Sequence, residues 1–360
     1  MGINQVIVFI MVAFMIWAAI DKFFLKNKFG YGEKFDEAFS AMGPLALAIV
    51  GIMCFAPIMG KILTQVFAPF FNMIGADPAM IAGSVLASDM GGFSLAETMT
   101  TNPDIIILSG IYLGSMMGVA IIFVIPYTST VIEKKDFSFL SKGIMAGIIP
   151  IPIGCFIAGL ISKMDPLMLI INLIPAAILA VVIALGFWLI PKILTKIFEW
   201  FSKILTVLIG VFLVISIIEA LTGYIIIPGM DPIGPQLEIV GLIAIVLAGA
   251  YPFIRFLTTI LSKPMKNLGK VLGVNAVSMA GMLASLASAI PMYPMVKDMD
   301  ERGKVISIAF SVCAGFVLGD ILAYTSARAP EYIFPMIIGK LSAGIIAIFI
   351  ASKMAKKVVK

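Results

Sequence analysis

The chain contains no histidine. That removes the commonest general base and the commonest metal ligand, so a zinc-dependent enzyme built into the membrane is excluded as a leading reading. Charge is scarce as well: 12% of residues are Asp, Glu, Lys or Arg, where soluble domains carry about 25%. Cysteine is limited to Cys54, Cys155 and Cys313, each inside an apolar stretch, which points to buried free thiols and no disulfide framework. What fills the space is apolar: 61% of residues, with a mean hydropathy of +1.12. The fold class that follows is an all-α polytopic membrane protein, because the stretches are too long and too uniformly apolar for the alternating strands of a barrel. The net charge of +5 does not imply nucleic acid, since the basic residues lie in short segments between apolar ones.

Stretches long enough to span a bilayer are predicted at 3–21, 40–62, 104–126, 143–162, 167–190, 204–226, 238–261, 304–324 and 333–352. The opening MGINQVIVFIMVAFMIWAAI carries no Lys or Arg before its apolar residues, so it reads as a retained first span rather than a cleaved signal. Residues 22–38 are polar and amphipathic and are expected along the membrane surface.

Two further apolar segments, 78–97 and 273–293, are ambiguous. The first reads DPAMIAGSVLASDMGGFSLAET from Asp77. Asp77 is a candidate N-cap with Pro78 in the first turn, and the helix is expected to break at Asp89-Met90-Gly91-Gly92. A helix from Pro78 to Met90 would be about 20 Å long, short of a roughly 30 Å hydrocarbon core. The second segment begins after Asn275, in the place Asp77 holds in the first.

The halves repeat. Gly43, Ala46 and Gly51 fall on Gly241, Ala244 and Gly249. Ile74 to Asp77 falls on Leu272 to Asn275, Leu86-Ala87-Ser88 on Leu286-Ala287-Ser288, and Gly114 and Gly118 on Gly315 and Gly319. If each ambiguous segment is a re-entrant hairpin and the N-terminus is outside, nearly all Lys and Arg fall on the cytoplasmic side, including the C-terminal Lys353, Lys356, Lys357 and Lys360. Only Lys61, Lys163, Arg328 and Lys340 are left outside. If both segments span fully, the basic residues divide almost evenly. The positive-inside rule selects the hairpins. The domain organisation expected is then a first repeat over 1–163, a linking span over 164–200, and a second, inverted repeat over 201–360, with the C-terminus cytoplasmic.

Inverted repeats with paired hairpins place a substrate site where the two tips approach. Tip one is Ser88, Asp89, Met90, Gly91 and Gly92; tip two starts at Ser288. Each first arm aims its carbonyl end inward and Asp89 adds a full negative charge, so the expected ligand is a cation. Phe93, Tyr112 and Tyr293 are candidate aromatic partners for an ammonium. Glu97, Glu219 and Asp320 are further intramembrane acids, costly at depth and therefore site candidates, with Thr98 beside Glu97. Glu33, Asp36, Glu37 and the charges at 297–304 read as solvated. No Lys or Arg lies inside either hairpin, which counts against an anionic substrate.

With those residues in view, the chain resembles the ethanolamine utilisation transport protein family, EutH. The resemblance rests on IGADPAMIAGSVLASDMGGFSLAETM (Ile74 to Met99), on the first span with its following loop, and on the length and spacing of the spans. It implies uptake of ethanolamine across the bacterial cytoplasmic membrane, feeding a degradation pathway whose lyase uses cobalamin; no cobalamin motif is present in this chain and no cofactor is expected. The ammonium would be held by Asp89 and hairpin-tip carbonyls, the hydroxyl by Ser88, Ser288, Thr98 or Glu97. Elevator-like alternating access is the mechanism that fold analogy implies. Besides ethanolamine and the lipid bilayer, a coupling ion and a homo-oligomeric partner stay open. The competing readings are a Na⁺- or H⁺-coupled secondary transporter of another small polar or cationic solute, a membrane-embedded enzyme, and a channel or sensor component.

Overall fold

The computed structural model describes residues 2–355, so Lys356, Lys357 and Lys360 lie outside the described residues. Every regular element among the described residues is helical, and eight helices there are long and apolar enough to cross a membrane. This is a polytopic α-helical membrane protein. In chain order the helices are α1 (Ile3–Phe23), α2 (Gly32–Ser40), α3 (Met42–Ile74), α4 (Met80–Val85), α5 (Phe93–Met99), α6 (Pro103–Ile107), α7 (Ile125–Val131), α8 (Phe137–Ile148), α9 (Ile151–Ile161), α10 (Pro166–Leu189), α11 (Pro191–Thr222), α12 (Ile233–Leu272), α13 (Ala276–Ala287), α14 (Met292–Met295), α15 (Glu301–Ala314), α16 (Asp320–Arg328) and α17 (Ile333–Ala355). α6 runs into α7 through widened π turns over Leu108–Gly118 and Ala120–Val124, making one element over Pro103–Val131. That element is almost wholly buried and forms the centre of the molecule. By contrast α10 and α11 present Leu167, Val181, Val207 and Val214 outward, as a lipid-facing flank requires.

Both ambiguous segments fold back on themselves. α3 ends at Gly75 in the left-handed region (φ 77°), and α12 ends the same way at Gly273 (φ 66°). After the first turn-off, the Asp77 carboxylate accepts from the Thr100 hydroxyl at 2.8 Å, joining the two ends of the segment. After the second, the Asn275 backbone N–H donates to the Asp300 carboxylate at 2.7 Å and its side-chain amide donates to the Asp298 carbonyl. A segment whose ends hydrogen-bond to each other enters and leaves on one face. Asn275 is also the N-cap of α13, accepting from Ser278 N–H at 2.9 Å.

Three features depart from the sequence reading. The first arm is shorter than expected: α4 stops at Val85, and Leu86 and Ala87 are extended (ψ 140° and 149°). The chain leaves the helix twice, at Leu86-Ala87 and again at Met90-Gly91 (Gly91 φ 94°) as expected from the sequence, and Asp89 lies in the irregular turn between the two arms. The stretch 304–324 is not one span: it unwinds between α15 and α16, where Phe316 takes φ 62°. Its freed N–H groups find partners at the second hairpin tip, Phe316 donating to the Ser285 carbonyl at 2.9 Å and Leu318 to the Leu286 carbonyl at 2.8 Å. Lys304 and Lys340 are not solvated; they are 7% and 1% exposed.

Lys304 on α15 sits 2.6 Å from Asp136, ahead of α8, with both side chains nearly dry. Removing one partner leaves the other buried and uncompensated. Lys304→Met is expected to destabilise the protein by about 3–5 kcal/mol, and the Lys304→Met, Asp136→Leu pair to recover most of that. Thermal unfolding in detergent measures both; equal melting of wild type and Lys304→Met would rule the pair out as a fastening of α15 to α8.

Candidate functional site

Two acids stand at helix breaks. Asp89 lies in the irregular turn Ser88–Gly92 between α4 and α5; Asp320 begins α16 after the unwound Gly315–Gly319. Both carboxylates face one cavity of about 100 Å³, walled by Ala87, Met90, Val119, Phe123, Ile290, Phe316 and Ile321. The second hairpin thus contributes Ile290, and the central element contributes Val119 and Phe123. The Phe123 and Phe316 rings meet edge to face at 5.6 Å. Aromatic faces beside two carboxylates suit a small cation.

Asp320 and Ile290 also line a second, larger space of about 480 Å³, bounded by Ala284, Ala287, Ser288 and Pro291 of the second hairpin and by Tyr251, Ile254 and Arg255 of α12. Lys34 and Glu37 of α2 also line it. The Tyr251 hydroxyl donates to Asp320 at 3.3 Å. Asp320 is therefore shared by the inner cavity and by a vestibule that reaches the polar loop side.

Three carbonyls just before the tips are already engaged: Ala87 O accepts from Met90 N–H at 3.0 Å and Gly92 N–H at 2.9 Å, and the carbonyls of Ser285 and Leu286 accept from the unwound segment. The charged residues that line the cavity are Asp89 and Asp320.

Of the residues singled out from the sequence, Asp89 and Asp320 come together at the cavity, and Ser288 lies in the adjoining vestibule. Ser88 is fully buried, and its hydroxyl donates to the Ile111 carbonyl at 3.2 Å, tying the tip to the central element. Gly91 takes φ 94° against Ile52, a conformation and a contact that a side chain would strain. Gly92 packs on the Leu86 and Ala87 carbonyls. Glu97 pairs with Arg328 at the end of α16, and Arg328 also lies 5.1 Å over the Phe93 ring. The Thr98 hydroxyl donates to Leu95 O at 2.8 Å. These five residues shape the hairpin without lining the cavity. Phe93, Tyr112 and Tyr293 are likewise spent elsewhere: Phe93 on Tyr324, Tyr112 on Ser162, Tyr293 on Tyr127. Phe123 and Phe316 went unnoticed in the sequence. The flanking Gly315 and Gly319 were the one local sign that Phe316 sits in unwound chain.

A family model described as "Ethanolamine utilisation protein, EutH" matches residues 3–354. A protein of Listeria monocytogenes named as a probable ethanolamine permease EutH is 48% identical over 360 residues, covering 100% of this chain and 96% of that protein. A protein of Salmonella typhimurium with the same name is 42% identical over 395 aligned residues, covering 99% and 97%. The Bacillus subtilis protein YxeR, named as uncharacterised, is 42% identical over 354 residues, covering 98% and 95%. No solved structure matches. The match takes in the first span, both hairpins and both acids, and the chain belongs to the ethanolamine utilisation protein EutH family.

Proposed function

We propose that this protein carries ethanolamine into the cell across the bacterial cytoplasmic membrane. The observation that carries the reading is a pair of carboxylates facing one small aromatic-walled cavity at two helix breaks. Ethanolamine is a primary amine, protonated at neutral pH as a lysine side chain is. Its ammonium lies between Asp89 and Asp320 and donates to both, with the Phe123 and Phe316 rings against its short carbon chain. Ser288 meets the hydroxyl on the vestibule side. Ser88, Gly91, Gly92, Glu97 and Thr98 hold the hairpin in shape.

The chain is oriented with its N-terminus outside and its C-terminus in the cytoplasm, as the distribution of Lys and Arg favours. The vestibule beside Lys34, Glu37 and Arg255 then opens inward. The repeats run over 1–163 and 201–360, inverted about the linking span 164–200. Access alternates as the bundle holding both hairpins moves against the lipid-facing flank.

The test is uptake of labelled ethanolamine into vesicles holding the purified protein, with competitors. Choline carries three methyl groups on its nitrogen, has no N–H to donate, and outgrows a cavity of about 100 Å³. Serine would bring a carboxylate against two others, which repel it. Unlabelled ethanolamine is expected to suppress uptake and an equal concentration of choline or serine to leave it within about twofold, a discrimination set by unpaired polar and charged groups. Equal competition by choline would remove the two-carboxylate cavity as the amine site. Running the same assay with and without a Na⁺ gradient separates ethanolamine carriage from the coupled-transport alternative.

A further inference from the structure

Lys340 lies in the middle of α17 and is 1% exposed. Its Nζ donates to the Ser115 backbone carbonyl, and among the described residues it makes no ion pair. The other buried lysine, Lys304, has Asp136 at 2.6 Å. An ammonium held in the low-dielectric interior by one neutral carbonyl is expensive, on the order of several kcal/mol. Packing does not require it: neighbouring Gly339 and Ala343 already close α17 onto α9 at Gly154. A lysine that keeps its charge there needs a counter-charge, and no carboxylate is in contact with it among the described residues.

The position of Lys340 identifies the counterpart. Ser115 belongs to the widened π turns of the central element. Its neighbour Gly114 packs on the first hairpin tip, where an added Cβ would stand 2.9 Å from the Ser88 hydroxyl, one residue before Asp89. One turn beyond Ser115, Val119 lines the cavity. Lys340 thus stands behind the cavity wall, one helix away from Asp89.

We propose that Lys340 is a built-in counter-cation of the transport site. Two carboxylates and one lysine leave a single net negative charge, which one ammonium neutralises. A second mobile cation is not needed, so ethanolamine moves as an uncoupled monocation driven by the membrane potential. This rests on the reading of Asp89 and Asp320 as the amine site.

The experiment uses the full chain in vesicles with an imposed potential. Wild-type uptake is expected to be unchanged when Na⁺ is replaced by K⁺ on both sides and when the proton gradient is collapsed; dependence on either overturns the proposal. This arm needs no variant. In the second arm Lys340→Gln, which keeps a donor for Ser115, and Asp320→Asn are each expected to lower uptake on the order of tenfold or more, because each unbalances the site by one charge. The double variant restores the balance with Asp89 still present and is expected to recover uptake to a few-fold above either single variant, short of wild type because Asp320 no longer accepts from the ammonium. A merely structural lysine gives no such recovery: a double variant no better than Lys340→Gln, or Lys340→Gln with wild-type uptake, overturns the proposal. Asp89→Asn separates the two levels. Full uptake by that variant defeats the site itself, whereas its inactivity without recovery in the double variant defeats the counter-cation alone.

Discussion

Asp89→Asn is expected to lower ethanolamine uptake by about a hundredfold or more, with the protein still folded in the membrane. The side chains have the same shape, so the packing against Ala87 and Met90 survives. What changes is charge. The amide brings an N–H₂ donor toward an ammonium that itself only donates, so the pair is mismatched. Losing one partner of a buried, hydrogen-bonded charge pair costs roughly 2–5 kcal/mol, which corresponds to about thirty- to several-thousandfold. Glu97→Gln provides the contrast. Glu97 is partly exposed and already paired with Arg328, so its loss is expected to cost no more than about 1 kcal/mol and to change uptake only a few-fold. Initial rates of labelled ethanolamine uptake, normalised to protein in the vesicle, measure both. Undiminished uptake by Asp89→Asn would remove this carboxylate from the site.

The readings that survive contact with the structure are those governed by local chemistry. Apolar length placed the membrane-crossing elements, and Asn275 marked where α13 begins, because an N-cap is a property of a few neighbouring residues; Asp77, expected in the same role, accepts from Ala79 N–H and the Thr100 hydroxyl instead, and α4 starts after Ala79. Asp320 was legible as an acid where acids are costly. The readings that moved are those governed by contacts between distant parts of the chain. The Gly91-Gly92 pair looked like the natural end of the first arm. Gly91 does break the helix (φ 94°), but the first arm has already ended at Leu86-Ala87, where the Leu86 carbonyl is pressed into a groove formed by Gly114 and Gly118 of the central element. Residues 304–324 looked like an intact span because Gly315-Phe316-Val317-Leu318-Gly319 is wholly apolar. Its unwinding is held by N–H groups that donate to Ser285 and Leu286, some thirty residues earlier; the flanking Gly315 and Gly319 permit it locally, but the partners that hold it are remote in sequence. Lys340, a lone lysine in an apolar stretch, counts among the outer basic residues by the positive-inside rule; it is buried instead, and the carbonyl that receives it belongs to a different span.

The same groove yields a variant with the opposite signature to Asp89→Asn. A Cβ on Gly118 would stand 1.9 Å from the Leu86 carbonyl oxygen and 2.3 Å from its carbon. Neither atom is the free end of a side chain, so the hairpin backbone itself has to withdraw. Overpacking a core costs roughly 1–3 kcal/mol where side chains can adjust, and a backbone obstruction sits at or above the top of that range. Gly118→Val is accordingly expected to lower thermal stability in detergent by about 3 kcal/mol or more and to abolish uptake, since Ala87, Asp89 and Met90 are displaced from the cavity together. Gly210 on α11 has nothing within 4 Å of its Cβ position; Gly210→Ala is expected to leave stability within about 0.5 kcal/mol and uptake at the wild-type rate. Asp89→Asn keeps its melting temperature and loses transport; Gly118→Val loses both. If Gly118→Val melts and transports as the wild-type protein does, the first hairpin tip does not rest against the central element, and the wall that places Asp89 opposite Asp320 is not there.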